Sequence, residues 1–172
     1  MRKTLAALIL AALVAAAGCA LASAPEKKPP AALAAGTGVT VGKSAPAFIL
    51  KGLDGADVAA PVAGTGAVRN VWAPWCPTCR EELPELERFA RDNPAVAFYA
   101  VDIDEPAAKV QAFMEKNGFT FPVLLDGGGS VAQTYRVSAI PTTFVIDKSG
   151  VIKLRKTGPV TAAELAGAIR GL

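Results

Sequence analysis

Histidine is absent from all 172 residues, and cysteine occurs only as Cys19, Cys76 and Cys79. A zinc centre on the Cys76–Cys79 pair would need two further ligands that this composition does not supply, so no metal and no other cofactor is expected. Three cysteines are also too few for a disulfide scaffold, and a domain of about 130 residues buries a core without one. Net charge is scarce: the formal +3 falls to +1 once Arg2 and Lys3 are set aside. That balance gives no footing to nucleic acid or an anionic surface as a partner. Internal repeats are missing too. The apolar stretch near the start, Leu5 to Ala17, runs for only 13 residues, too short to span a bilayer stably.

That stretch fits a secretory leader, with Met1-Arg2-Lys3 as its basic start. Two processing routes are open. Ala17-Gly18-Cys19 has the small residues that precede the acylated cysteine of a bacterial lipoprotein, which would make Cys19 the lipid attachment point, although Ala16 stands where such signals usually carry leucine. Cleavage after Ala20-Leu21-Ala22 would instead discard Cys19 and release a soluble protein. An uncleaved anchor is disfavoured by the shortness of the stretch. Either cleavage leaves the protein outside the cytoplasm, periplasmic and membrane-anchored or else secreted, where a cysteine pair can be cycled. Residues 1–22 are therefore read as a signal peptide and 23–38 as a flexible tether of Ala, Pro, Lys and Gly. As coil the tether separates its ends by roughly 20–25 Å. Residues 39–172 form one domain, expected to be a monomer.

Within that domain, Val39 to Leu50 reads as extended, with a turn at Leu53 to Ala56 and a possible return strand at Val58. Val68 to Ala73 reads as a buried central strand. Pro77 to Arg91 has a helical apolar face of Leu83, Leu86, Phe89 and Ala90, with Pro84 expected to kink it. A strand at Ala95–Val101 follows, then a helix with Asp104 as its cap and Asn117-Gly118 as its end. Phe121–Leu125 is a short strand, Ser130–Tyr135 a short helix, and Phe144–Asp147 with Val151–Leu154 a hairpin. Gly127 to Gly129 lack the Lys-Ser/Thr of a phosphate cradle and read as a turn. Thr161 to Glu164 is a capping-box pattern that opens a last helix. The order predicts an α/β domain with a mixed sheet and helices on both faces.

The chemistry centres on Trp75-Cys76-Pro77-Thr78-Cys79, two thiols three apart where a strand runs into a helix. A cysteine just before a helix can be held as thiolate by unpaired N–H groups and the positive end of the dipole. Such placement moves its pKa from about 8.5 to roughly 3.5–7.5. Cys76 is therefore the attacking nucleophile, and Cys79, nearly a turn further in, the resolving thiol. Pro77 suits the first helical position. Glu82, one turn beyond Cys79, is the candidate proton acceptor; the plainer reading is a solvated carboxylate. Glu81, Arg80 and Arg69 read as solvated surface and Trp72 as core.

Together with Val41-Gly42-Lys43-x-Ala45-Pro46-x-Phe48, the block Asn70-Val71-Trp72-Ala73-x-Trp75-Cys76-Pro77-x-Cys79-Arg80-x-Glu82-x-Pro84 and Ile140-Pro141-Thr142-Thr143-Phe144-x-Ile146-Asp147, the chain resembles the thioredoxin superfamily. Within it the likeness is to the TlpA/ResA-like branch of bacterial envelope thiol–disulfide oxidoreductases, which includes the cytochrome c maturation reductases of the CcmG/DsbE type. It covers most of residues 41–172. The resemblance implies a thioredoxin-like fold with an N-terminal β extension. It implies that Pro141 follows a cis bond and faces the cysteine pair, and that Trp75, Pro77, Thr78, Ile140 and Thr142 contact substrate. Three departures stand out. Asn70 replaces thioredoxin's buried aspartate, Pro77-Thr78 lacks the ResA-type glutamate between the cysteines, and Thr142 stands where the cytochrome c maturation reductases carry glutamate.

The leading function is an envelope reductase of partner-protein disulfides, for example in apocytochromes c or a metal-site assembly protein, recharged by a membrane electron donor. A disulfide oxidant or isomerase is the alternative, weakened because no histidine lies between the cysteines. A peroxidase would need threonine where Ala73 stands. A metal chaperone would add a distal histidine, and a non-catalytic interaction domain would not need the intact pair.

Overall fold

The computed structural model describes residues 36–172 except 63 and 171. Cys19, the leader and nearly all of the tether lie outside the described residues. Seven strands and four helices follow in the order β1 (Phe48–Gly52), β2 (Asp57–Ala60), β3 (Ala67–Trp72), α1 (Pro77–Asp92), β4 (Ala97–Ile103), α2 (Ala107–Asn117), β5 (Val123–Asp126), α3 (Ser130–Thr134), β6 (Thr142–Ile146), β7 (Ile152–Thr157) and α4 (Ala162–Ile169). One sheet holds all seven strands in the order β2-β1-β5-β4-β3-β6-β7. The β3–β4 and β4–β5 pairs are parallel, each joined by a helical crossover, and the other pairs are antiparallel. This is the mixed α/β sheet expected from the order of elements.

An interior strand of that sheet, β3, is buried along its whole length between β4 and β6. Side chains alternate between the two faces of the sheet. Val68 and Trp72 enter a core shared with Leu83, Leu86 and Phe89 of α1, Val110 and Met114 of α2, and Leu165 of α4. Val71 enters the opposite core, with Val131, Tyr135, Phe144 and Ile152. Each fully buried Leu or Phe on α1 contributes about 1.5–3 kcal/mol relative to exposure, so three of them hold the helix to the sheet despite Pro84. The helix is continuous through that proline.

Three local expectations fail. Val39 to Ala47 forms turns and isolated bridges rather than a strand, with Gly42 at φ +86° and Ile152 exchanging hydrogen bonds with Gly42 and Lys43. Asp104 does not cap α2: it adopts φ +62°, Pro106 occupies the cap position, and no side chain caps the helix. Arg69 is not surface; it is 1% exposed, because its strand is covered on both faces. Its Nη1 donates to the Tyr135 hydroxyl, which donates to Pro46 O at 2.6 Å, and its guanidinium lies over the Phe48 ring at 4.9 Å. Elsewhere the ends behave as read. Gly118 closes α2 in the left-handed region at φ +69°, and Thr161 and Glu164 form the capping box of α4.

Candidate active site

Strand β3 ends at Trp72, and a turn closed by Cys76 N–H to Ala73 O at 3.1 Å delivers the chain to α1. Cys76 is the N-cap, in extended conformation at φ −84°, ψ 114°. Its Sγ does what a capping oxygen normally does, accepting the Cys79 N–H at 3.2 Å. Pro77 follows in the first helical turn, where no N–H is needed. Cys76 and Cys79 are joined as a disulfide with Cα atoms 5.3 Å apart.

Around the pair, Cys79 is wholly buried and Cys76 nearly so, while Trp75 is 58% exposed. Pro77 and Thr78 are exposed as well. The Thr78 hydroxyl sits 3.5 Å from Cys76 Sγ, and the Ile140 carbonyl oxygen 3.8 Å from it. The Ile140–Pro141 bond is cis. Thus the loop before β6 is brought against the sulfurs from 64 positions away in sequence. Thr142 is fully buried, its hydroxyl donating to Ala139 O at 2.7 Å.

Below the sulfurs lies a carboxyl group. Glu82 is 4% exposed, which overturns its reading as a solvated carboxylate. One oxygen accepts from Asn70 Nδ2 at 2.7 Å, the other from the Val160 N–H at 2.8 Å. Asn70 Nδ2 also reaches Thr143 Oγ1 at 3.0 Å. Burial pushes the Glu82 carboxyl above the usual range, and the Val160 and Asn70 hydrogen bonds offset part of that push. Glu81 and Arg80, by contrast, are exposed as read. Sequence reasoning does not find Asn70, Thr143 and Val160 as supports of Glu82. A signal exists for Glu82 itself, since the buried residues of α1 run Cys79, Glu82, Leu83, Leu86, Phe89, one stripe at helical spacing. Among the described residues no cluster of three or more Cys, Asp or Glu could hold a metal ion, and no helix is long and apolar enough to cross a membrane.

Residues 41–155 match the model of the AhpC/TSA family. The chain belongs to that family. Its curated relatives narrow the assignment. The sporulation thiol-disulfide oxidoreductase A of Bacillus subtilis is 32% identical over 123 residues, 69% of this chain and 74% of that protein. The thiol-disulfide oxidoreductase ResA of Geobacillus thermodenitrificans is 36% identical over 132 residues, 75% of this chain and 76% of that protein. Among solved structures, a secreted Mycobacterium tuberculosis disulfide oxidoreductase, described as homologous to E. coli DsbE, superposes with a TM-score of 0.65 at 30% identity, covering 73% of this chain and 96% of that one. This is a ResA-like thiol–disulfide oxidoreductase with a thioredoxin-like fold, acting on disulfides of partner proteins. In this ResA-like chain, Cys76 and Cys79 are the two cysteines of a Cys-x-x-Cys pair, joined as a disulfide.

Proposed function

We propose that the protein reduces disulfides of partner proteins in the bacterial cell envelope, with Cys76 attacking and Cys79 resolving. The Cys76 thiolate attacks one partner sulfur, forming a mixed disulfide and expelling the other partner sulfur as a thiolate that takes up a proton. Cys79 then loses its proton to Glu82 and attacks Cys76 Sγ. The internal disulfide forms, the second partner thiol leaves, and two electrons have passed to the partner. The observation that carries this reading is Cys76 Sγ capping α1. The N–H that it accepts at 3.2 Å would stabilise a thiolate there and not on Cys79.

Glu82 suits the acceptor role because i and i+3 positions on a helix are neighbours, about 5–6 Å apart at Cβ, and because burial raises its proton affinity. The Ile140–Pro141 loop and exposed Trp75 flank Cys76 on the side open to an extended partner segment, with Pro77 and Thr78 completing the rim. An extracytoplasmic site is supported by the leader-like start and by the secreted relative. A lipid on Cys19 would tether the domain to a membrane, and a membrane electron donor would restore the dithiol. Apocytochromes c and metal-site assembly proteins are the partner class that this reading favours.

The equilibrium reduction potential of Cys76–Cys79 against glutathione tests the direction of transfer. A reductase is expected well below DsbA; a value near about −120 mV, that of DsbA, would make the protein an oxidant. Cys79→Ala should accumulate mixed disulfides with envelope proteins on Cys76. Their absence, with Cys76→Ala behaving identically, would remove Cys76 from the nucleophile's role.

A further inference from the structure

A second buried carboxyl group, which the exchange steps do not use, lies beside the end of β3 from which the chain turns to Cys76. Asp102 is 1% exposed near the end of β4 and in register with Trp72 on β3, so the two side chains share one face of the sheet. Neither Asp102 oxygen has a hydrogen-bond partner, and neither does the indole Nε1–H of fully buried Trp72. A buried donor beside two buried acceptors, all unpaired, is an exception among native polar groups, and one water with two or more polar partners relieves it.

We propose that Asp102 is a positioning residue for the redox centre: with Trp72 it holds one buried water beside the end of β3, and its charge governs how readily the Cys76 thiolate forms. This rests on Cys76 being the nucleophile. The route is short. Trp72 is the last residue of β3, and Ala73 to Cys76 is a single hydrogen-bonded turn. With neighbouring strands about 4.8 Å apart, Asp102 and Cys76 lie about 10–15 Å from each other. At that separation, with an effective dielectric of about 20, one unit charge changes the thiolate fraction about tenfold.

The surroundings keep this group from being neutralised by a cation. Asp104 and Glu105 just after β4 and Asp126 on β5 are acidic, and all three raise its proton affinity. On α2, Lys109 is engaged with Glu105 at 3.2 Å. On α1, Glu82 is committed to Asn70 and Val160, and exposed Arg80 lies over Phe113, the ring that packs on Trp72. β3 offers only the Trp72 N–H. Burial pushes the Asp102 carboxyl up to about 7; the nearby Glu105 N–H offsets part of that without reaching hydrogen-bond geometry. Asp102 is thus neutral in mildly acid solution and anionic above neutrality.

The test is the pH profile of Cys76 alkylation by iodoacetamide in the reduced protein, for wild type and Asp102→Asn. Alkylation rates per protein, not corrected for ionisation, should be equal at pH 5, where Asp102 is neutral. They should be several-fold faster in the variant as Asp102 ionises while Cys76 is still only partly thiolate, the two converging once the thiolate is fully formed. A difference independent of pH, as a merely structural change would give, overturns the proposal, as do identical profiles. If label maps to Cys79 instead, the nucleophile assignment fails. A second readout separates that failure from this proposal. In the oxidised Trp75→Phe protein, Trp72 fluorescence should step near neutral pH, and the step should vanish when Asp102→Asn is added. Should Asp102→Asn not fold, carboxyl NMR of the wild-type protein decides. An Asp102 resonance titrating near neutrality supports the proposal, and one titrating near pH 4 overturns it.

Discussion

The buried Asp102 carboxyl should also leave a signature in folding that is independent of catalysis. Its ordinary pKa is 3.8 and its folded value about 7. Between those values the folded protein holds a proton that the unfolded chain has released, so unfolding stability falls as pH rises through this window. Below pH 4 both states are protonated, above pH 7 both are ionised, and the contribution is flat on either side. The slope is at most 1.36 kcal/mol per pH unit, and the full span is a ceiling of about 4 kcal/mol. Glu82 acts in the same direction, since burial raises it as well. Glu87 acts oppositely: its hydrogen bonds from Thr120 and Phe121 outweigh burial and lower its pKa, giving stability that is lost as pH falls through the folded value. Both contributions cancel when wild type is compared with Asp102→Asn. Denaturant midpoints of the two oxidised proteins, taken from pH 4 to 8.5, should diverge in favour of the variant by several kcal/mol, approaching about 4. A stability difference constant across that range to within about 0.5 kcal/mol would refute the reasoning.

Two further outcomes follow from the same kind of accounting. Glu82→Gln removes the proton acceptor and keeps one oxygen, enough for either Asn70 Nδ2 or the Val160 N–H but not both; mixed disulfides on Cys76 should resolve roughly 10²-fold more slowly in stopped-flow exchange, and unchanged resolution would reassign the acceptor. Arg69 is buried with Nε and Nη2 unpartnered, and burial lowers its pKa. Arg69→Met should therefore be neutral or raise unfolding stability by about 1 kcal/mol or more, whereas a loss of several kcal/mol would show that the Tyr135 contact outweighs burial.

Much of this architecture is legible in the amino-acid order because strands and helices advertise themselves by period. The run Val68 to Ala73 is short, apolar and followed by a helical stripe, and that pattern alone places Cys76 at a junction. The failures are instructive in the same terms. Residue type suggests surface for Arg69, although an interior strand covered on both faces leaves no solvent for any of its side chains. Charge suggests solvent for Glu82, although it lies on the apolar stripe of α1. Capping habit points to Asp104, while Pro106 and a positive φ redirect the turn. The Asn70–Glu82–Val160 connection joins β3, α1 and the segment before α4 across 12 and 78 positions, and local pattern carries no trace of such distant pairings. The family likeness covers the sulfurs and the Pro141 loop but says nothing of Asp102, whose significance depends on what its oxygens fail to meet.

The hydrogen bonds from Val160 N–H to Glu82 at 2.8 Å and from Ala162 N–H to Glu85 at 3.4 Å have a consequence for how this fold can be recombined. The opening of α4 draws acceptors for its free N–H groups from α1 as well as from its own Glu164. The terminal helix is therefore not a detachable module. A chimera that imports α4 from a homologue must import the matching carboxylates of α1 with it, and a graft of the cysteine-bearing helix alone would strip the C-terminus of two of its moorings. The two helices are heritable as a pair.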